Sequence, residues 1–309
     1  MRDINKLSFV PPWLIESYPE QKYIAYTKLV EGLRAKSNRI ELNIPYDSFT
    51  MTMLYYDAYN SDPLLYDVDI PEFEPADGKT IVHARYRDQI NGQDIEDIRE
   101  AVQQRADELY GVMGLDLCRT SLEKELAVNE WLVRNCKWCD EGDFRYRHSV
   151  LGILLDNKGV CLSFAQATAL MLQYSKVPCY VVVGSLKKTG ERRNYQGYRS
   201  VDVTRSILGG ACGDCICNDW GGCKTPAVDS DSRNGRVRTW EDFIGTRPGT
   251  HAWNYVQLTG GNRHLDVTFN TGSKKPLAWT KVKHDYFNLT TSRIEIDRKI
   301  TFGPKGWGE

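Results

Sequence analysis

Residues 161–172 carry apolar side chains at intervals of three and four positions, which places them on one face of a helix: Leu162, Ala165, Ala169 and Leu172. Gly159 stands just before this run, and no proline interrupts it. The pattern therefore predicts a tight turn followed by a helix that begins at Cys161. Because alanines on the apolar face let another element approach closely, we expect this helix to be central in the fold.

Other segments show helical or strand-like periods. Apolar spacing predicts helices within residues 26–37, 49–56 and 94–109. Thr120 and Glu123 form a capping box, in which two side chains satisfy free N–H groups at the start of a further helix. Alternating or β-branched runs predict strands over residues 79–86, 177–184 and 292–297.

Two β-rich runs, residues 251–258 and 263–270, flank a turn that contains Gly260 and Gly261. Such an arrangement is typical of a β-hairpin. The first run opens with His251, and the second contains Asp266. The pattern therefore predicts a histidine and an aspartate on neighbouring strands, downstream of the Cys161 helix.

The start of a helix is a favourable place for a reactive cysteine. Free N–H groups and aligned peptide dipoles there stabilise an anion, so the thiol of Cys161 can shift toward the nucleophilic thiolate. A nucleophile also needs a base and a group that orients the base. Cys161, His251 and Asp266 supply these three residue types in that order. A small cysteine packed in the core is the structural alternative for Cys161.

Hairpin geometry restricts how His251 and Asp266 can meet. A turn closed symmetrically on residues 259–262 would set His251 opposite Asn270. Asp266 would then lie roughly 13 Å away along the strand, at about 3.4 Å per residue, which is too far for a hydrogen bond. We therefore predict a register shifted toward Leu258 and Thr259, or a bulge at the two glycines.

Three blocks of sequence resemble the transglutaminase-like superfamily of papain-fold cysteine enzymes. The blocks are the Gly-Val-Cys of residues 159–161, the His-Ala-Trp-Asn of residues 251–254 and the His-Leu-Asp-Val-Thr of residues 264–268, preceded by a similar segment at residues 130–135 and 148–152. The resemblance implies a Cys-His-Asp catalytic triad, with Cys161 as nucleophile, His251 as base and Asp266 as its orienting partner. Trp253, His148 and Tyr146 are candidates for contacting the substrate.

The resemblance also implies the fold class and the domain organisation. We expect an α+β fold with a papain-like or transglutaminase-like core, in which the nucleophile helix packs on an antiparallel sheet. A mixed α/β region (residues 1–115) would precede the catalytic domain (residues 116–309). Residues 185–250 form a long cysteine-rich insertion relative to the family. Its ends should lie near the cleft, where it could act as a substrate-selecting lid.

The insertion contains four cysteines within twelve residues: Cys212, Cys215, Cys217 and Cys223. Close thiolates on a glycine-rich loop could bind a structural zinc ion through four sulfurs, although loop disulfides and free thiols are alternatives. Cys136 and Cys139 form a CxxC pair that could join such a site or remain without chemistry. Zinc is therefore a structural hypothesis, and no cofactor is required for the predicted catalysis.

Composition excludes several classes of partner. The 309 residues include 40 Lys and Arg against 41 Asp and Glu, a net charge of −1, so neither nucleic acid nor an anionic membrane is indicated. No apolar run reaches the length of a bilayer, and the first twelve residues lack a secretion signal. We expect a cytoplasmic protein whose partner is a peptide, a protein or a small amide.

Three functions are consistent with these residues. The first is a peptidase or amidase, in which Cys161 attacks an amide carbonyl and water resolves the thioester. The second is acyl transfer to an amine by the same residues, as in a transglutaminase or an amide synthase. The third is a non-catalytic binding protein on the same fold. The sequence names neither the substrate nor the oligomeric state.

Overall fold

The computed structural model describes residues 2–187, 250–271, 282 and 284–304. Over these residues the fold is mixed α+β, and its two larger sheets are antiparallel. The expected α+β class is therefore confirmed. Most of the insertion lies outside the described residues, including its four cysteines at positions 212, 215, 217 and 223 and the zinc or disulfide chemistry predicted for them.

The N-terminal part combines helices with a three-stranded sheet, in which β3 (Lys79–His83) lies between β1 (Arg39–Leu42) and β2 (Glu72–Ala76). The middle strand buries Thr80, Ile81 and Val82, whereas β2 at the edge is largely exposed. Asp47 caps the third helix by accepting a hydrogen bond from the N–H of Thr50 (2.8 Å). The elements are α1 (Leu14–Ser17), α2 (Glu20–Arg34), β1 (Arg39–Leu42), α3 (Ser48–Ser61), β2 (Glu72–Ala76) and β3 (Lys79–His83), after a 3-10 turn at Ile4–Lys6.

The segment between this sheet and the central helix is mostly helical. The capping box is confirmed: the Glu123 N–H donates to Thr120 Oγ1 (3.1 Å), and the Thr120 N–H donates to Glu123 Oε2 (2.9 Å). The elements are β4 (Gln89–Ile90), β5 (Gln93–Asp94), α4 (Ile95–Val112), α5 (Ser121–Asn135), β6 (Lys137–Trp138), α6 (Phe144–Arg147), α7 (Val150–Asp156) and β7 (Lys158–Gly159).

The helix predicted at Cys161 is α8 (Cys161–Tyr174), and it is central as expected. Every residue from Leu162 to Leu172 is buried. Helices α4, α5 and α7 pack against it, and so do the strands β8 (Cys179–Leu186) and β9 (Thr250–Leu258). The helix that begins at Cys161 thus lies directly on a sheet.

That sheet has four antiparallel strands in the order β10-β9-β8-β11. The strand predicted over residues 292–297 is wrong, because residues 291–294 form a helical turn. Burial alternates in a strand pattern only from Arg298 onward, where Arg298, Ile300 and Phe302 face inward. The elements are β8 (Cys179–Leu186), β9 (Thr250–Leu258), β10 (Gly261–Leu265), α9 (Val267–Thr271), α10 (Thr291–Ile294) and β11 (Arg298–Phe302).

One cluster of buried side chains includes residues from both predicted regions, among them Leu29 and Val102 from the first and Leu170 and Val182 from the second. The division at residues 115 and 116 stays a prediction. Among the described residues, no helix combines the length and the apolar character needed to cross a lipid bilayer.

Candidate active site

Cys161 is the first residue of α8, directly after the extended residue Val160. The N–H of Val160 donates to the carbonyl of Arg147 (3.1 Å), and the N–H of Cys139 donates to the carbonyl of Gly159 (3.0 Å). These bonds fix the segment that leads into the helix. The first N–H groups of a helix have no acceptor within it, so the N–H of Cys161 can donate a hydrogen bond to an anion. The Cys161 side chain next to it is half-buried.

Gly159 is required by a close contact. A Cβ at this position would lie 2.5 Å from Oγ of Ser163, which is far inside contact distance. The Ser163 hydroxyl donates to the carbonyl of Ser149 and accepts from the N–H of Ile153 (3.2 Å), so it ties the first turn of α8 to α7. The glycine before the cysteine therefore lets the helix start pack against its neighbour.

His251 lies on β9, opposite Gly184 of β8. The Nδ2 atom of Asn254, three residues further along β9, donates to the carbonyl of Ala165 on α8 (2.8 Å). This bond joins the strand that carries the imidazole to the helix that carries the thiol. His251 is 4% exposed.

The hairpin does not close symmetrically on residues 259–262, and its register is shifted toward Leu258 as predicted. Leu258 pairs with Gly261, so the turn consists of Thr259 and Gly260 alone. The shift toward Leu258 is confirmed. Placing Asp266 on a strand was wrong, because β10 ends at the preceding residue.

The chain leaves the sheet at Asp266 because this carboxylate caps the next helix. Its Oδ1 accepts a hydrogen bond from the N–H of Phe269 (3.1 Å), and its carbonyl accepts from the N–H of Asn270 (3.1 Å). The turn brings the other carboxylate oxygen back toward β9. Oδ2 of Asp266 then meets Nε2 of His251 at 2.7 Å.

The three predicted catalytic residues therefore meet in one buried chain of contacts. The imidazole of His251 is hydrogen-bonded to the thiol of Cys161 on one side and to Asp266 on the other. Since Nε2 is engaged with the carboxylate, Nδ1 is the nitrogen left to exchange a proton with sulfur. The backbone N–H of Ala252 also contacts the thiol.

The pKa shifts favour a thiolate and an imidazolium. Burial raises the pKa of the Cys161 thiol, but the hydrogen bond and charge of His251 and the N–H of Ala252 outweigh it, and the net pKa is lowered. Burial lowers the pKa of His251, but the charge and hydrogen bond of Asp266 reverse this and raise it to about 9. Both shifts favour a proton on the imidazole over a proton on the sulfur.

Arg298 on β11 is a fourth member of the site. Its Nη2 donates to Oδ2 of Asp266 (2.9 Å), the same oxygen that meets His251. Burial raises the pKa of the fully buried Asp266 carboxyl, but His251 and then Arg298 oppose this, and the net pKa is lowered. The carboxylate thus stays charged without contact with solvent.

Trp253 lies behind the imidazole. Its ring stacks near that of His251, with centroids 5.9 Å apart at an angle of 20°. Its Nε1 donates to Nδ1 of His264 (3.0 Å), and that histidine reaches Oγ1 of Thr291 through Nε2 (3.2 Å). Trp253 is 1% exposed, so its observed contacts are with the core, and substrate contact stays a prediction.

The other two candidate substrate residues flank the helix start. Tyr146 is buried, and burial raises the pKa of its hydroxyl to about 12. His148 is half-buried, donates from Nδ1 to the carbonyl of Phe144 (2.8 Å) and stacks on that ring at 3.7 Å. Burial lowers the pKa of His148 to about 4, so it is neutral at pH 7. Substrate contact by either residue stays a prediction.

The cysteines of the CxxC pair differ in environment. Cys136 is buried, and burial raises the pKa of its thiol to about 12, whereas Cys139 is half-buried. Both are free thiols. Within the described parts of the chain, no group of three or more His, Cys, Asp or Glu side chains is placed to hold a metal ion.

Sequence reasoning missed three residues that shape the site: Ser163, Asn254 and Arg298. Asn254 is the last residue of the His-Ala-Trp-Asn block that resembles the family, but the sequence did not indicate what its side chain does. Ser163 gave no signal on an apolar helix. The alternation of Arg298, Ile300 and Phe302 could have shown that an arginine faces inward on the last strand.

Residues 114–267 belong to the transglutaminase-like superfamily, whose family model matches them. The matched segment begins just before α5 and ends one residue after Asp266, so it contains all three residues of the contact chain.

Three solved structures are similar to the chain at low identity. They are a TGase (14% identity, TM-score 0.35), a proposed cysteine protease from Cytophaga hutchinsonii (12%, 0.31) and a proposed protease from Parabacteroides distasonis (12%, 0.28). The matches cover 82%, 65% and 68% of this chain, and 56%, 63% and 36% of those chains. The chain thus spans less than two thirds of each. A comparison with curated protein sequences found no match.

Proposed function

We propose that this chain is a cysteine-nucleophile enzyme that acts on amide bonds through an acyl-thioester intermediate, with hydrolysis as its main reaction. The observation that carries the proposal is the buried contact chain from the Cys161 thiol through His251 to Asp266. A core cysteine has no need of an imidazole whose pKa is raised to about 9 by a buried carboxylate.

Each residue has one task in the proposed reaction. The thiolate of Cys161 attacks the carbonyl carbon of a peptide, protein or small amide. The backbone N–H of Cys161 stabilises the negative oxygen that develops. His251, already protonated, gives its proton to the leaving amine, while Asp266 keeps the imidazole oriented.

Hydrolysis of the thioester returns the site to its starting state. Neutral His251 takes a proton from water as the water attacks the acyl carbon, and the sulfur leaves as thiolate. The half-buried position of Cys161 supports access for water. An amine that attacks in place of water would give acyl transfer with the same residues, which is the second candidate function.

The arrangement of elements supports a papain-like or transglutaminase-like core. The thiol lies at the start of a buried helix, α8, and the histidine lies on a strand of the antiparallel sheet that packs on it. The order of nucleophile, base and carboxylate along the chain agrees with that architecture. No cofactor takes part in the steps proposed here.

The test uses a glutamine-containing peptide with and without a primary amine, followed by mass spectrometry of peptide and protein. We expect an acyl adduct on Cys161, and shortened or deamidated peptide as product. Cys161→Ser should abolish both. Cys139→Ser is the matched control, because Cys139 is also half-buried but makes no contact with His251 among the contacts described, and it should retain activity.

The alternative functions predict different products. Peptide that carries the added amine would support acyl transfer over hydrolysis. If no adduct forms and Cys161 is alkylated by iodoacetamide no faster than Cys139 at neutral pH, the enzymatic proposal fails and a binding role on the same scaffold remains.

A further inference from the structure

Arg298 is fixed by its strand, by two aromatic rings and by two carboxylates. Its backbone is paired with Leu186 of β8. Its guanidinium lies between two aromatic rings, 4.1 Å from the centroid of Phe269 and 4.6 Å from that of Tyr286. Nη1 forms an ion pair with Oδ1 of Asp297 (2.8 Å), and the side chain is 1% exposed. A side chain fixed in this way can aim a hydrogen bond at a neighbour without loss of further freedom.

The target of that hydrogen bond is the carboxylate of Asp266. Oδ2 receives both Nε2 of His251 and Nη2 of Arg298, whereas Oδ1 receives the N–H of Phe269. Three donors from three different elements therefore fix the plane of the carboxylate. Without Arg298, only the helix cap and the imidazole would hold it.

We propose that Arg298 is a positioning residue that keeps Asp266 ionised and aimed at His251 through the whole catalytic cycle, an inference that rests on the proposed function. Asp266 needs a second positive partner because His251 does not keep its proton through the cycle. When the imidazole has given that proton to the leaving amine, Asp266 no longer faces a charged histidine.

A fully buried carboxylate beside a neutral partner would gain a proton from its surroundings. A guanidinium stays charged at every pH at which the protein functions, so it can compensate the carboxylate when histidine does not. With Arg298 present, the proton that leaves His251 goes to the amine, and none is held by Asp266.

The groups that face this pair are few among the described residues. His251 on β9 is hydrogen-bonded to Asp266, Cys161 on α8 interacts with Asp266 electrostatically, and Asp297 lies next to Arg298. The hydroxyl of Tyr286 donates to Oδ2 of Asp297 (2.6 Å), and burial raises the pKa of Tyr286 so far that it stays neutral. The pH dependence of Cys161 should therefore report on Asp266 and Arg298.

The experiment measures alkylation of Cys161 by iodoacetamide from pH 5 to 9.5, with peptide mapping to separate it from the other cysteines. Arg298→Gln and Arg298→Met both remove the charge, so whichever variant folds carries the test. We expect the acid midpoint to rise by about one pH unit, which makes alkylation about tenfold slower at pH values below the wild-type midpoint. Arg298→Lys, which retains a charge, should recover part of this shift.

Arg34→Gln is the matched control, because Arg34 pairs with the buried carboxylate of Asp62 away from the site. It should leave the midpoint unchanged, which separates a general loss of stability from the proposed effect. A folded Gln or Met variant of Arg298 with the wild-type midpoint would overturn the role of Arg298 alone. An ordinary thiol profile in the wild-type protein would instead remove the proposed function, and this inference with it.

Discussion

Replacement of Asp266 by asparagine removes one charge and keeps the size of the side chain. The amide has two ways to fit. With its oxygen toward His251 and Arg298, its NH₂ faces the N–H of Phe269, where two donors meet. With the oxygen toward Phe269, the NH₂ faces Nε2 and favours the tautomer whose proton lies on Nδ1. That tautomer cannot accept a proton from sulfur.

The expected magnitude follows from the pKa of His251. Burial lowers this pKa, but Asp266 and, to a smaller extent, Cys161 outweigh it and raise the pKa from 6.5 to about 9. Loss of the charge should lower it by at least about two units, which corresponds to a roughly 100-fold smaller ratio of imidazolium to imidazole. The thiolate of Cys161 loses its counter-charge by the same step, so alkylation at pH 7 should slow, by at most about 100-fold.

The assay is site-specific alkylation of Cys161 across pH, combined with thermal unfolding to show that each variant is folded. Asp62→Asn is the control, since Asp62 is also a buried aspartate paired with an arginine. It should lower the melting temperature without slowing alkylation. If folded Asp266→Asn protein reacted at the wild-type rate, the carboxylate would have no part in activating the thiol.

Three further outcomes follow from the structure. Because His251 must carry a proton and its raised pKa is about 9, amide turnover should fall as pH rises through about 9; a flat profile to pH 10 would contradict this. Burial raises the pKa of Glu125 to about 8, so the folded state binds an extra proton between about 4.5 and 8 and loses stability as pH rises through that range. Glu125→Gln should therefore stabilise the protein by about 2–3 kcal/mol at pH 7 and far less at pH 4.5 in urea unfolding, and a constant gain would refute the assignment. Gly184→Ala should lower stability and activity together, because its Cβ would lie 2.5 Å from Cη2 of Trp253, whereas Gly260→Ala meets no atom within 4 Å and should change neither.

The local patterns predicted the central elements well. The apolar spacing after Cys161 and the capping box at Thr120 depend on near neighbours in the chain, and both are confirmed. The register of the hairpin could not be predicted from near neighbours alone. Two glycines allow several turns, so only the requirement that Asp266 reach His251 selected the shift toward Leu258.

Long-range partners could not be predicted in the same way. The role of an inward-facing arginine such as Arg298 cannot be predicted from the sequence, because its acceptor, Asp266, is distant along the chain. Asp266 was placed on a strand because valine and threonine follow it, but its carboxylate satisfies the N–H of Phe269 and starts a helix instead. At Asp266 a side-chain hydrogen bond overrides the β propensity of the neighbouring residues.

The pairing of Ser185 with Thr250 sets the two attachment points of residues 188–249 on adjacent strands, one residue from His251. Neighbouring strands lie about 4.8 Å apart, so a segment of almost any length can be joined there without altering the sheet. Each doubling of such a segment adds only about 0.6 kcal/mol of closure entropy. Residues can therefore be inserted or deleted at this junction at small energetic cost, without a change in the strand pairing that positions His251.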